Sequence, residues 1–242
     1  MSVPRFYVAM PLAVGVVTLP EDAAHHAARV LRLLEGDTIV LFNGEGGEYH
    51  GCITHINKRE VTVQLERFEE TDRESPLAIT LVQAITSGER MDYAIQKAVE
   101  LGVSRLVPVT TERTTIKLKA ERANKRLEHW QKVVRSACEQ CGRNRLPQVA
   151  PLTELSDYLS AHDGDTIWML QPLNARPIRQ QPKPAAGLTV VIGPEGGFSE
   201  AELRLAQRHN CSAISLGPRI LRMETAGPAV LAVLQSLWGD WQ

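Results

Sequence analysis

Two short stretches hold the residues whose types and spacing could do chemistry. One is Gly193–Gly197, GPEGG, which follows the apolar, β-branched run Leu188–Ile192. A buried strand that ends in such a corner bends the chain at its carboxyl end, where open α/β sheets bind ligands. The corner is neither a dinucleotide fingerprint nor a P-loop, and no Lys or Arg stands in it. Its one charge, Glu195, would repel a phosphate and tolerate a cation. Read alone, the glycines also fit a plain tight turn that needs positive φ. Ser199 and Glu202 then have the spacing of a capping box, with Phe198 and Leu203 placed as its hydrophobic staple, so a helix is predicted to start at once.

The other stretch is Gly217–Glu224, GPRILRME, at the end of a predicted strand Ala213–Leu216. Ile220 and Leu221 are apolar where a surface loop should be polar. Two glycine–proline corners on separate strands predict one pocket with backbone walls and an apolar floor. Such walls suit an adenine ring and a thioether chain better than a triphosphate. Arg222 and Glu224 follow, and structurally Glu224 fits a carboxylate favoured by a helix N-terminus, with Arg222 its ion-pair partner.

Charge is uneven along the chain. Residues 113–145 hold ten Lys/Arg against three Glu, a local net of +7 in a chain whose whole net is −1. That asymmetry is an electrostatic footprint for a polyanion, or else the solvated outside of a helix whose stripe is Leu127, Trp130, Val133, Val134 and Ala137. The block ends in CEQCGRNR. Cys138 and Cys141 have no second pair to complete a zinc site, so no metal is expected and packing is preferred to redox chemistry. Gly142 is expected to end the helix and release Arg143, Asn144 and Arg145 as donors for phosphate and base edges.

The elements that must position these residues divide the chain. Residues 1–72 read as β-rich: strands Asp37–Phe42, Glu48–Ile56 and Glu60–Leu65, and a helix Glu21–Leu34 with Ala23, Ala27, Val30, Leu31 and Leu34 on one side. A small β-barrel with one helix fits. On that helix, His25, His26, Arg29 and Arg32 are either solvated or in contact with RNA. Glu69–Pro76 is the candidate linker. Residues 73–242 alternate strand and helix. Strands are expected at Leu77–Ala84, Leu106–Val109, Thr166–Leu170, Leu188–Ile192 and Ala213–Leu216, in a mostly parallel sheet covered on both faces. A helix with Met91, Ala94, Ile95, Ala98 and Val99 on one face should stop at Gly102. Ala175–Gly187, rich in Pro and Gln, reads as an exposed loop. Four irregularly spaced cysteines, no secretory leader and no membrane-length apolar run lead us to expect a cytoplasmic protein with no membrane partner.

Several motifs together resemble a known family: PRFY, HHAARVLR, ERMDYAIQKAVELGV, CEQCGRNRLP, IGPEGGFSEAE and LGPRILRMETA. They resemble the RsmE family, 16S rRNA uridine-N3 methyltransferases of the SPOUT superfamily. The resemblance spans the chain. It implies a PUA-like RNA-binding domain over 1–72 and a SPOUT methyltransferase domain over 73–242 with a C-terminal trefoil knot. Topology rules alone would reject the knot. The resemblance further implies S-adenosylmethionine as cofactor, 16S rRNA of the small ribosomal subunit as partner, and a homodimer. The cofactor positions carried over are Leu170, Gln171, Pro172, Ile192, Gly193, Glu195, Gly196, Gly197, Leu216, Gly217, Ile220 and Leu221. The RNA-contacting set is Arg5, His26, Arg29, Lys132, Arg143, Asn144 and Arg145. For the uridine N3 methylation so implied, the catalytic candidates are Glu224 as proton acceptor and Arg222, Arg143 or Arg145 as the cation beside a developing oxyanion. The family pattern has Thr before its final Glu-Thr, and this chain has Met223 there. Besides a methyltransferase, the residues admit a non-catalytic RNA-binding or ribosome-assembly protein. A nucleotide-dependent oxidoreductase is disfavoured by the missing fingerprint.

Overall fold

The computed structural model describes residues 3–57, 60–116, 118, 120–162, 164, 166–172 and 174–241. The chain divides into two compact units, Met1–Glu74 with Cys138–Leu146, and Ser75–Ala137 with Pro147–Gln242. The basic block is therefore split, and its CEQCGRNR end belongs to the first unit.

The first unit holds β1 (Arg5–Tyr7), β2 (Gly15–Thr18), α1 (Glu21–His25), β3 (Thr38–Phe42), β4 (Glu48–Ile56) and β5 (Val61–Glu69). They form one five-stranded sheet in the order β1-β3-β4-β5-β2. Phe6, Leu19, Ile39, Ile53, Val63 and Ala27 share one core, so the sheet curls around side chains from both of its ends. The predicted helix over Glu21–Leu34 is cut short. α1 passes into a wider π-turn at His26–Val30, and Arg32 takes φ 55°. Ala23, Ala24 and Ala27 are buried, whereas Val30, Leu31 and Leu34 are exposed, contrary to the apolar side expected. The wider turn shifts the face that one continuous α-helix would present.

The second unit holds β6 (Ile79–Ala84), α2 (Gly88–Glu100), β7 (Arg105–Thr110), α3 (Ala120–Cys141), which runs on into the first unit, β8 (Gln148–Val149), β9 (Thr153–Glu154), α4 (Leu155–Ala161), β10 (Thr166–Leu170), β11 (Arg176–Pro177), β12 (Leu188–Ile192), α5 (Glu200–Arg208), β13 (Ser212–Ser215) and α6 (Met223–Trp238). Every strand pair is parallel, in the order β11-β13-β10-β12-β6-β7-β8, with β9 also on β7. The Pro/Gln-rich segment is more ordered than expected: it supplies β11 and a 3-10 turn that buries Ile178.

Both sheet faces are covered, as parallel sheets require. Val82, Ala84, Val109, Met169 and Val191 meet Leu155, Leu159 and Ala206 from α4 and α5. On the other face α6 crosses β6 so closely that a Cβ on Gly227 would lie 3.1 Å from Gln83 Oε1 and 3.5 Å from Leu81 Cδ2. α6 also packs on α2, whose Met91, Ala94, Ile95, Ala98 and Val99 are buried. Gln235 of α6 is fully buried and tied at both ends. Its Oε1 accepts from Ser75 Oγ (2.7 Å) and its Nε2 donates to Leu101 O (2.9 Å). Pro228 lies in the second turn of α6 rather than the first, where it withholds the N–H that would bond the Glu224 carbonyl. Among the described residues no helix is long and apolar enough to cross a membrane.

Gly51 sits at a register shift between β4 and β5, where a Cβ would fall 2.1 Å from the backbone oxygen of Gln64. Gly51→Ala is expected to cost about 3 kcal/mol, because a strand would have to move. A thermal melt of the purified variant checks this, and an unchanged midpoint would contradict the close approach.

Candidate functional site

Parallel strands end at one edge, so the loops that follow β10, β12 and β13 gather there. Trp168–Val190 and Trp168–Ser212 are register partners, and the Gln171 N–H extends the pairing by donating to Ile214 O (2.9 Å). These loops, with the start of α6, enclose a cavity of about 720 Å³, within the usual ~300–1,000 Å³ of ligand clefts. All twelve positions carried over for the cofactor lie on its wall, as do Arg222 and Glu224.

Local chemistry fixes the GPEGG loop. The Gly197 N–H closes the turn on Pro194 O at 2.9 Å. The capping box is formed: Ser199 Oγ accepts from the Glu202 N–H (3.1 Å), and Glu202 Oε2 accepts from the Ser199 N–H (2.8 Å). Glu202 Oε1 accepts from the Glu112 N–H (2.8 Å), tying the loop after β7 to the same corner. Arg113 supports it further, donating to Gly196 O at 2.9 Å. Phe198 packs its ring where a Gly193 side chain would stand.

Glu195 accepts from Thr86 Oγ1 at 2.6 Å and lies 3.3 Å from Arg90 Nη1. The Thr86 hydrogen bond, with the Arg90 charge beside it, holds its carboxyl below the usual carboxylate range. The site therefore presents a fixed negative charge and no cation on the GPEGG turn itself. Arg90, Asn174 and Arg219 also line the cavity, and the sequence reading did not single them out. Arg90 is one turn into α2, far along the chain from either glycine corner, so no local spacing marked it. Arg222 is exposed, with Nη1 4.0 Å from Glu224 Oε1, while the Glu224 side chain is mostly buried. Met223 is buried in the wall, so an apolar side chain stands where the family pattern has a hydroxyl. Ile220 is 83% exposed and forms the mouth rather than the floor expected of it.

Arg143 is not on this wall. It is 4% exposed, within the first unit, and its guanidinium pairs with Glu74, Nε at 3.0 Å and Nη2 closer still. Arg5 and Asn144 are likewise engaged in that unit. Arg5 bonds Glu48 (2.5 Å), the Gly142 carbonyl (3.2 Å) and the Asn144 amide oxygen. Asn144 Nδ2 donates to Glu48 Oε2 and Thr71 O, both at 3.1 Å. The expectation that Gly142 frees three donors thus holds for Arg145 alone, which is exposed. The other two are held within the unit by the Glu74 and Glu48 carboxylates and the Thr71 carbonyl. His26 is half-buried, edge-on to Phe6, while Arg29 and Lys132 are exposed. Lys117 and Lys119 of the basic segment lie outside the described residues. Burial pushes the Cys138 thiol up to about 12, in keeping with a packing role.

Glu48, His50 and Glu69 place one ligand atom each within 4.8 Å of one another. Glu48 Oε2 is taken by Arg5, Arg73 and Asn144, and Glu69 by Arg67, so cations already balance these carboxylates.

Comparison with known proteins finds two matching regions. Residues 73–235 match the family model of an RNA methyltransferase domain, and residues 19–66 that of an RNA methyltransferase PUA domain. The chain is 33% identical to the ribosomal RNA small subunit methyltransferase E of Buchnera aphidicola, over 98% of both chains. Its fold matches the crystal structure of the protein of that name from Neisseria gonorrhoeae bound to S-adenosyl methionine, with TM-score 0.95, 40% identity and all of both chains covered. A Legionella pneumophila methyltransferase in complex with the bound cofactor SAM gives TM-score 0.96 at 37% identity, covering 99% of this chain and 100% of that one.

Burial alone would raise the Glu48 carboxyl, but hydrogen bonds from Arg5 and Asn144, the Arg5 charge and Arg73 outweigh it and lower it to about 2. A depressed carboxylate contributes stability above its unfolded value, near 4.5, and loses it as pH falls toward 2. The melting temperature should drop through that window. Glu48→Gln should lose about 3 kcal/mol at neutral pH, through unpaired buried cations, and much of the acid sensitivity. An unaltered acid limb in the variant would refute this.

Proposed function

Because the chain belongs to the ribosomal RNA small subunit methyltransferase E family, we propose that it transfers the methyl group of S-adenosylmethionine to N3 of a uridine in 16S rRNA of the small ribosomal subunit. The observation that carries this reading is the cavity at the ends of β10, β12 and β13. Its walls are largely backbone and apolar side chains, with Arg90, Arg219 and Arg222 among the polar ones, and its loop carboxylate, Glu195, is held ionised. Backbone and apolar walls suit an adenosine, and the Glu195 charge suits a positively charged sulfonium. Leu170–Pro172, Gly193–Gly197, Leu216, Gly217 and Leu221 would hold the cofactor. When bound, it supplies an electrophilic methyl.

The chain's own residues have two tasks. They must bring a weakly acidic ring N–H to the cavity mouth, and they must favour its loss. Glu224 lies on the wall, mostly shielded from water, with Arg222 at 4.0 Å. Glu224 is placed to accept the N3 proton, and Arg222 to stabilise negative charge on a uracil oxygen. Arg143, buried against Glu74, has no part in this step.

RNA is held by the exposed cations Arg29, Lys132 and Arg145, through phosphate charge and RNA shape. We further read the C-terminal segment as a trefoil knot. β10 and β11 are joined directly by residues 171–175, yet β13 lies between them in the sheet. Residues 216–222 then lead back to α6, which packs on α2 and β12. The placement of β13 between two directly connected strands supports this reading. The homodimer and the cytoplasmic location rest on the family resemblance.

Calorimetric titration with S-adenosylmethionine, its demethylated product, NAD and ATP should give binding with the first two alone. Transfer of labelled methyl to small-subunit rRNA should follow, and binding without transfer would favour a ribosome-assembly role. Glu224→Gln and Arg222→Ala should each cut kcat by about a hundredfold, with cofactor affinity nearly unchanged. The double variant should be little worse than the poorer single, since the pair acts as a unit. Near wild-type methylation by Glu224→Gln would return it to a helix-end carboxylate.

A further inference from the structure

Ile220 is the most exposed of the large apolar side chains among the described residues, at 83%, although it stands on the cavity wall. Its neighbour Leu221 is half-buried. An isoleucine left in water contributes nothing to the packing of the fold, so its apolar surface is available to something that arrives. Its display is set by the backbone. Gly217 takes φ +113°, a conformation that disfavours any side chain, and Pro218 follows. The chain therefore leaves β13 at a fixed angle and carries residues 219–222 across the mouth. Arg219 and Arg222 flank Ile220 in sequence, both exposed and both on the same wall.

We propose that Ile220 is the platform for the target base: the extruded uracil lies against its side chain at the cavity mouth, with Arg222 at a uracil oxygen as above and Arg219 neutralising a flanking phosphate. This deepens the functional reading above and rests on it. N3 lies on the pairing edge of uracil, so the base must be unstacked and turned out before that atom can meet a methyl group, and the lost stacking has to be replaced by an apolar surface. Phe198 is the one aromatic among the described wall residues. Its ring packs against Gly193 and the core beneath α5 and is not free to serve. Ile220 is the wall's exposed apolar group. Two arginines beside it give the charge that an RNA backbone, rather than an apolar protein partner, would match.

The test uses the full-length protein, saturating S-adenosylmethionine and small ribosomal subunits from cells lacking the activity. Ile220→Ala should raise KM for the subunit roughly tenfold, as expected for losing most of a buried isoleucine contact. Cofactor affinity, solution mass and melting temperature should stay as in the wild type. Ile220→Phe, which offers a broader apolar face, should keep KM within about twofold. An unchanged KM in Ile220→Ala overturns the proposal. So does a halved solution mass, which would make Ile220 a contact between copies of the chain, or a parallel loss of cofactor affinity, which would make it cofactor wall. Failure of the wild-type protein to bind S-adenosylmethionine or to methylate the subunit would instead strike the functional reading, before Ile220 is in question.

Discussion

Uniform strand direction in the second unit is the constraint on which its other features depend. Parallel pairing of β10 with β12 and with β13 brings Leu170, Ile192 and Ser215 to one edge. Three loops that are far apart in sequence then become neighbours. Parallel strands must be joined by crossovers, so both faces of the sheet are covered by helices and the open edge is the place left for a ligand. β13 enters between β10 and β11, and this puts the Gly217–Arg222 segment opposite the GPEGG loop. A cavity walled by backbone follows from that juxtaposition.

The GPEGG loop itself depends on carboxylates in two different roles. Glu202 is buried and structural. It completes the cap of α5 with one oxygen and holds the loop after β7 with the other, so a single side chain positions two segments of the site. Glu195, on the turn itself, lines the cavity, where Thr86 and Arg90 keep it ionised. That fixed negative charge, on a turn with no cation of its own, is compatible with a sulfonium.

In the first unit the same physics removes residues from function. Glu48 is 4% exposed, and an ionised carboxylate so buried must be paired and hydrogen-bonded. Arg5, Arg73 and Asn144 supply those bonds, and Arg143 does the same for Glu74. Such networks are costly to break from one side. They fix the 138–146 segment within that unit and leave Arg145 at the surface, 3.9 Å from the exposed Asp72 carboxylate.

Local signals in the sequence were enough for the strands Glu48–Ile56, Thr166–Leu170 and Leu188–Ile192, the capping box, the stop at Gly102 and the two glycine corners. Each depends on residues within a few positions of one another, where periodicity, capping and φ preference act. The family motifs pointed to the loops that line the cavity for the same reason, since they are contiguous stretches. Tertiary structure decided the rest. Short strands such as β1, β2 and β11 carry too few residues for a period and exist through their partners. Arg5, Arg143 and Asn144 looked like RNA donors because donor type is visible in a sequence and burial is not; the carboxylates they serve are 43 to 96 positions away. Arg90 joined the site, and Ile220 moved from its floor to its mouth, because which face of a loop meets water is fixed by what packs behind it.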